Sequence, residues 1–191
     1  MTPPRKCYAL TEARVKETPP ARLLVLARDP SVPARERVAA NPSTPIEGLV
    51  LMSTDKESRV RRQIARNPRT PPAVLHSMAN DKSSSVRMEL AANPSTWIET
   101  LRELSLHFDR HVKGRMALNP RCPQELLAQL ALDEDPLVRI NVAENLSTSA
   151  SILLTMKDDY HPKVQASLLH NLKSPTELIL AIAARNSKPL K

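Results

Sequence analysis

Glycine is almost missing from this chain: Gly48 and Gly114 are the only two among 191 residues. A glycine-rich loop able to cradle a phosphate is therefore excluded. Aromatic side chains are nearly as scarce, limited to Tyr8, Trp97, Phe108 and Tyr160. A core must then be built from Leu, Val, Ile, Met and Ala, and the stacking platforms that single-stranded nucleic acid needs are lacking. The two cysteines, Cys7 and Cys122, lie far apart and read as free thiols of a cytoplasmic protein. The stretch Met1–Cys7 has no apolar run and no window approaches a membrane span, so neither export nor a membrane helix is expected.

What the chain does have is a period. Asparagine recurs at Asn41, Asn67, Asn93, Asn119, Asn145 and Asn171, every step 26 residues long. A fixed period of that length marks a stacked repeat protein, in which each unit buries its apolar face against the next. The 18 prolines follow the same period, so they punctuate structure and do not form a disordered tract.

Within one repeat, Val60, Ile64 and Ala65 fall on one face of a short helix, as do Val86, Leu90 and Ala91, and Val164, Leu168 and Leu169. Asp135-Pro136 and His161-Pro162 place proline at the first helical position, and Asp109 and Ser83 are expected side-chain caps. The helix should stop at the asparagine, because a residue before proline avoids the helical region. A second short helix, α or 3₁₀, is expected next. Thr44 to Glu47, Thr96 to Glu99 and Ser174 to Glu177 read as capping boxes. Apolar pairs follow, such as Leu49 with Met52, Leu101 with Leu104 and Ile179 with Ile182. No stretch alternates as a half-buried strand would. The expectation is an all-α, curved α-solenoid of about seven stacked two-helix repeats. It would form one domain over 1–191, with an atypical cap at 1–29, repeats over 30–182 and a tail at 183–191.

The run V-R-x-x-(V/I/L)-A-x-N-P-x-T-P-x-x-x-L-x-x-(L/M)-x-x-D is cleanest in Val60 to Asp81 and Val86 to Leu104. It resembles the leucine-rich repeat variant family of bacterial helical repeat proteins, with units slightly longer than is usual there. The resemblance implies a binding scaffold and carries no catalytic residues. Founding members hold an iron–sulfur centre on an N-terminal cysteine cluster. Cys7 alone near the start cannot supply the four thiolates such a centre needs, so no metal or cluster is expected.

Columns that repeat faithfully are expected to be structural. The asparagine column should bond to backbone groups exposed at helix ends. A second column, Arg35, Arg61, Arg87, Lys113 and Arg139, stands six residues after Asp29, Asp55, Asp81, His107 and Asp133. Those residues read as an Asp–Arg ladder between units, similar to that of HEAT repeats.

Function is sought in what the ladders do not use. The chain carries 28 Lys and Arg against 20 Asp and Glu, net +8. Through residue 70 there are 14 basic and 7 acidic residues, so the excess lies toward the N-terminus. Arg59, Arg62 and Arg66 lie opposite Val60 and Ile64, and Arg37, Arg69, Arg110, Arg115 and Arg121 fall in neighbouring exposed columns. Trp97 stands in a proline column and Phe108 in a polar one, so they form an expected aromatic contact patch. His107 and His111, four residues apart, lack the glutamate of a metalloprotease helix. The chain thus reads as a non-enzymatic scaffold or adaptor presenting an extended basic face to an acidic partner, a protein ahead of nucleic acid. A DNA-glycosylase-like enzyme comes third, since that chemistry needs aromatic platforms beside an acid. No cofactor and no membrane partner are expected.

Overall fold

The computed structural model describes residues 18–107 and 109–186. Most of the expected N-terminal cap with Cys7, the end of the tail, and Phe108 with its half of the aromatic patch lie outside the described residues. Among the described residues the chain is all helix, thirteen α-helices without a strand. Helix α1 (Pro20–Leu26) is followed by six two-helix repeats, an α-solenoid type of fold.

The first helices of the repeats are α2 (Val32–Ala40), α4 (Ser58–Arg66), α6 (Ser84–Ala92), α8 (Arg110–Ala117), α10 (Pro136–Glu144) and α12 (Pro162–His170). The second helices are α3 (Ile46–Met52), α5 (Pro72–Ser77), α7 (Ile98–Ser105), α9 (Gln124–Leu130), α11 (Ala150–Thr155) and α13 (Thr176–Asn186). The chain packs as two compact units divided at Thr100/Leu101. In the first, α2, α4 and α6 pack side by side; in the second, α8, α10 and α12 do so.

Helix boundaries follow from the N-P step. Asn41, Asn67, Asn93, Asn145 and Asn171 end their helices with ψ between 115° and 125°, the extended geometry forced on a residue before proline at the first three. Pro45, Pro71 and Pro123 then precede the second helices, their fixed φ suited to a helix entrance. The apolar stripes face inward: Val38, Val60, Ile64, Val86 and Leu90 are completely buried in the first unit, as are Val112, Met116, Val142, Val164 and Leu168 in the second.

Four local expectations are corrected. Thr44, Thr96 and Ser174 do not accept from the second helix as capping boxes would. Thr44 Oγ1 and Thr96 Oγ1 donate back to the carbonyls of Val38 and Leu90, at 2.5 and 2.7 Å, and Ser174 Oγ donates to Leu168 O. The hydroxyl therefore bonds a carbonyl in the last turn of the preceding helix; Val38 O and Leu90 O also accept from the N–H of Asn41 and Asn93, so there it is a second donor. Ser83 gives no side-chain cap to α6, whereas Asp109 and Asp135 do cap α8 and α10. In the last repeat Leu178 and Ile182 are buried while Ile179 is exposed, because α13 runs 11 residues and its inward stripe follows i, i+4 spacing. Leu169, where other repeats bury alanine, is also exposed.

Candidate functional site

The two repeating polar columns lie inside the stack. Asn67 Nδ2 donates to Ala39 O at 2.8 Å and Asn41 O at 3.1 Å, and its Oδ1 accepts from Arg69 N at 3.0 Å. Asn93 repeats this with Ala65 O and Asn67 O, and Asn145 with Ala117 O and Asn119 O. Asn171 does the same with Ala143 O and Asn145 O. Each amide thus joins three backbone groups of two successive repeats, and Asn41 and Asn119 are buried in the same column. Cys122 takes the place of the hydroxyl residue that follows; it is buried, and burial, with the nearby Glu125 charge, pushes its thiol up to about 12.

The arginine column bonds in two directions at once. Arg61 Nη1 donates to Asp55 O at 2.7 Å and Lys56 O at 3.2 Å, holding the loop that precedes its own helix. Its Nε and Nη2 grip the Asp81 carboxylate of the next repeat at 2.6 and 2.8 Å. Arg35 with Asp55 and Arg139 with Asp159 make the same pair at 2.6 Å, and Lys113 Nζ reaches Asp133 at 2.7 Å. The six-residue partner therefore supplies its carbonyl, while the carboxylate comes from twenty residues ahead. Arg87 Nη1 keeps the carbonyl bond to Asp81 at 2.6 Å, and Gln165 keeps it to Asp159 at 2.7 Å.

Each of these aspartates also accepts from the backbone two residues on, as Asp81 Oδ1 does from Ser83 N at 2.8 Å. Burial alone would raise the carboxyls of Asp55, Asp81 and Asp159. The arginine hydrogen bonds, the backbone N–H and the guanidinium charge together outweigh it, and all three are held below the ordinary carboxylate value. A carboxyl more acidic in the folded than in the unfolded chain stabilises above its unfolded pKa, about 4, and that stabilisation is lost as pH falls through the lower folded value. Thermal melts from pH 7 to 2 should show it: Asp81→Asn lowers stability at pH 7, and its melting temperature falls less than the wild type's on acidification. An equal acid slope in both proteins contradicts the assignment.

The remaining charges are on the surface. Arg59, Arg62 and Arg66 are exposed on α4, opposite the buried Val60 and Ile64. Arg62 is partly tied, its Nε 3.1 Å from Glu89 Oε1. Arg59 and Arg66 make no side-chain hydrogen bond or ion pair among the described residues. Arg69 Nη1 reaches Pro42 O at 3.0 Å. Arg37 is exposed on α2, and Arg115 and Arg121 are exposed in the second unit with Arg110, which lies 3.9 Å from Asp135. Acids therefore accompany this surface more closely than residue counts imply; Glu89 and Glu36 approach α4 from its flanking helices, the latter 3.4 Å from Gln63 Nε2. Trp97 is 39% exposed and stands beside His76, ring centres 6.0 Å apart.

Against solved structures, the chain is similar to one described as a leucine-rich repeat variant with a novel repetitive protein structural motif. Identity is 28%, the match covers 87% of this chain and 71% of that one, and the TM-score is 0.62. The chain has a leucine-rich-repeat-variant-like helical repeat fold. No protein-family model matches the sequence, and no curated protein matches it. In this variant-like fold the paired ladders are the joints between repeats. No described residues form a group of three or more metal-binding side chains, and no described helix is long and apolar enough to cross a membrane.

Sequence reading missed one feature. In the second unit a shallow cleft of about 410 Å³ is lined by Leu132, Glu134, Arg139, Met156, Asp159 and Tyr160. Its sequence signal is that Leu132 and Tyr160 stand where the repeat three periods earlier carries Thr54 and Lys82; Leu106 and Phe108 occupy the same two columns in between.

Proposed function

We propose that the chain is a non-enzymatic, cytoplasmic binding scaffold whose first unit presents the outer face of α4 to an acidic protein. The observation that carries this reading is the pair Arg59 and Arg66, uncommitted guanidinium groups that flank the half-exposed Arg62 on one helix face. Arginine is suited to the role because its planar fork meets a carboxylate through two hydrogen bonds and is weakly hydrated. Arg37 and Arg69 extend the charge to neighbouring elements, Arg115 is proposed as a further basic contact in the second unit, and Trp97 as a separate aromatic anchor. The two ladders contribute rigidity and no contacts.

The test uses labelled oligoglutamate and duplex DNA of similar charge, titrated with the full chain. The oligoglutamate should bind, weaken with salt, and lose at least about tenfold in affinity when Arg59, Arg62 and Arg66 are all changed to Glu. Arg62→Glu also sets a second carboxylate against Glu89, whose side chain is 12% exposed, so the Arg59→Glu and Arg66→Glu double change, which breaks no ion pair, is the control in which stability should hold. Preferential binding of DNA, with log affinity falling linearly in log salt, would favour the nucleic-acid reading. Equal binding by the charge-reversed chain would remove this face from the function.

A further inference from the structure

The cleft in the second unit has a counterpart three repeats earlier, a cleft of about 500 Å³ lined by Thr54, Lys56, Arg61, Asp81 and Lys82. Both floors carry the same arginine–aspartate pair, Arg61 with Asp81 in the first and Arg139 with Asp159 in the second. The walls differ. Thr54, Lys56 and Lys82 are replaced by Leu132, Glu134 and Tyr160, so a cationic groove becomes an anionic one flanked by two large apolar side chains.

Packing does not account for the change, because the new side chains are exposed. Leu132 is 79% and Tyr160 81% exposed, and these large apolar groups face the same cleft. A second depression of about 370 Å³, lined by Ala128, Leu132, Ser151, Ile152 and Thr155, adjoins it and shares Leu132 and Thr155. The charge of the cleft is set by one group. Arg139 is neutralised by Asp159 and Lys113 by Asp133. Asp158 is paired with Arg185 and Asp135 lies near Arg110. The Glu134 carboxylate is left exposed and makes no hydrogen bond or ion pair among the described residues. One face of the Tyr160 ring is covered by the Arg139 guanidinium at 5.5 Å, and the ring stays largely in solvent.

We infer that this cleft is a docking site for a partner peptide that pairs an arginine with a leucine-sized apolar residue. The arginine meets the Glu134 carboxylate and stacks on the open face of Tyr160, joining a charge-assisted bond to a cation–π contact. The apolar residue enters the depression behind Leu132, where the walls are almost entirely carbon. A cation is required because no other carboxylate of the cleft is uncommitted, and an anion would meet Glu134 unopposed. This site is independent of the basic face of α4 and takes a ligand of opposite charge.

A fluorescein-labelled peptide holding one arginine and one leucine is titrated with the full chain and read by anisotropy. Saturable binding is expected, with a loss of at least about tenfold for Glu134→Lys and for Leu132→Ser. Lys56→Glu, at the matching place in the first cleft, should leave affinity unchanged. All three positions are exposed, so melting should hold. Changing the peptide instead, arginine to glutamate or leucine to serine, should cost as much without touching the protein. No binding at millimolar peptide, equal binding by Glu134→Lys, or equal binding of the glutamate peptide would each overturn the assignment.

Discussion

Replacing Arg61 with Ala should destabilise the first unit by about 3–5 kcal/mol, the largest single effect expected in the chain. The Arg61 side chain is 8% exposed and its guanidinium makes four hydrogen bonds, two to the Asp81 carboxylate and two to the carbonyls of Asp55 and Lys56. Without it, a carboxylate that is itself 7% exposed keeps its burial and loses its counter-charge. Removing one partner of such a pair costs more than the pair contributes, because the uncompensated charge remains in low dielectric. Arg61→Lys should recover only part of the loss, since an ammonium cannot span both carboxylate oxygens and two carbonyls. Chemical denaturation of the three proteins at pH 7 measures this. A loss below about 1 kcal/mol for Arg61→Ala would mean the pair is solvated, as ordinary surface ion pairs are.

Asn67→Ala should cost about 2–3 kcal/mol, because two backbone groups lose their partner, a third keeps only its bond from Thr44 N, and a buried unsatisfied group costs about 1–3 kcal/mol. The groups are Ala39 O, Asn41 O and Arg69 N. Asn67→Asp separates donor from acceptor: it keeps the bond from Arg69 N and sets a carboxylate against two carbonyls. It should therefore be at least as damaging as Ala. Denaturation midpoints at pH 7 decide the matter, and a tolerated Asp would show that the amide hydrogens are not what the column needs.

Much of the fold was legible because the period is strict. Val60, Ile64 and Ala65 recur with Asn67 and Pro68 in order, so one repeat predicts the next. The direction of bonds was less legible. An aspartate six residues before one arginine is also twenty residues after the arginine of the preceding repeat, the two offsets making one period. Sequence spacing alone therefore cannot tell which arginine holds the Asp81 carboxylate. The Thr44 hydroxyl had the same ambiguity, since a Thr-x-x-Glu pattern fits a cap on the helix ahead or a donor to the helix behind. Ile179 went astray for another reason: a three-residue spacing copied from shorter helices fails where α13 runs long enough to follow the α-helical period. On the surface, Arg59, Arg62 and Arg66 were placed on one face by periodicity. The Arg62 partner, Glu89, lies 27 residues on, and nothing local in the sequence marks it. The Leu132–Tyr160 cleft was hidden because its two walls come from different repeats.

Buried amide and arginine columns join the repeats, and the exposed arginines of α4 are proposed to bind. Hydrogen–deuterium exchange of the full chain with and without saturating oligoglutamate tests this most directly. Slowed exchange is expected in Ser58–Arg66 and its flanking loops, with the amides of Arg69, Ser95 and Ser147, already held by the asparagine column, equally slow in both states. Protection that spares Ser58–Arg66, or that appears first at the asparagine-bonded amides, would contradict it.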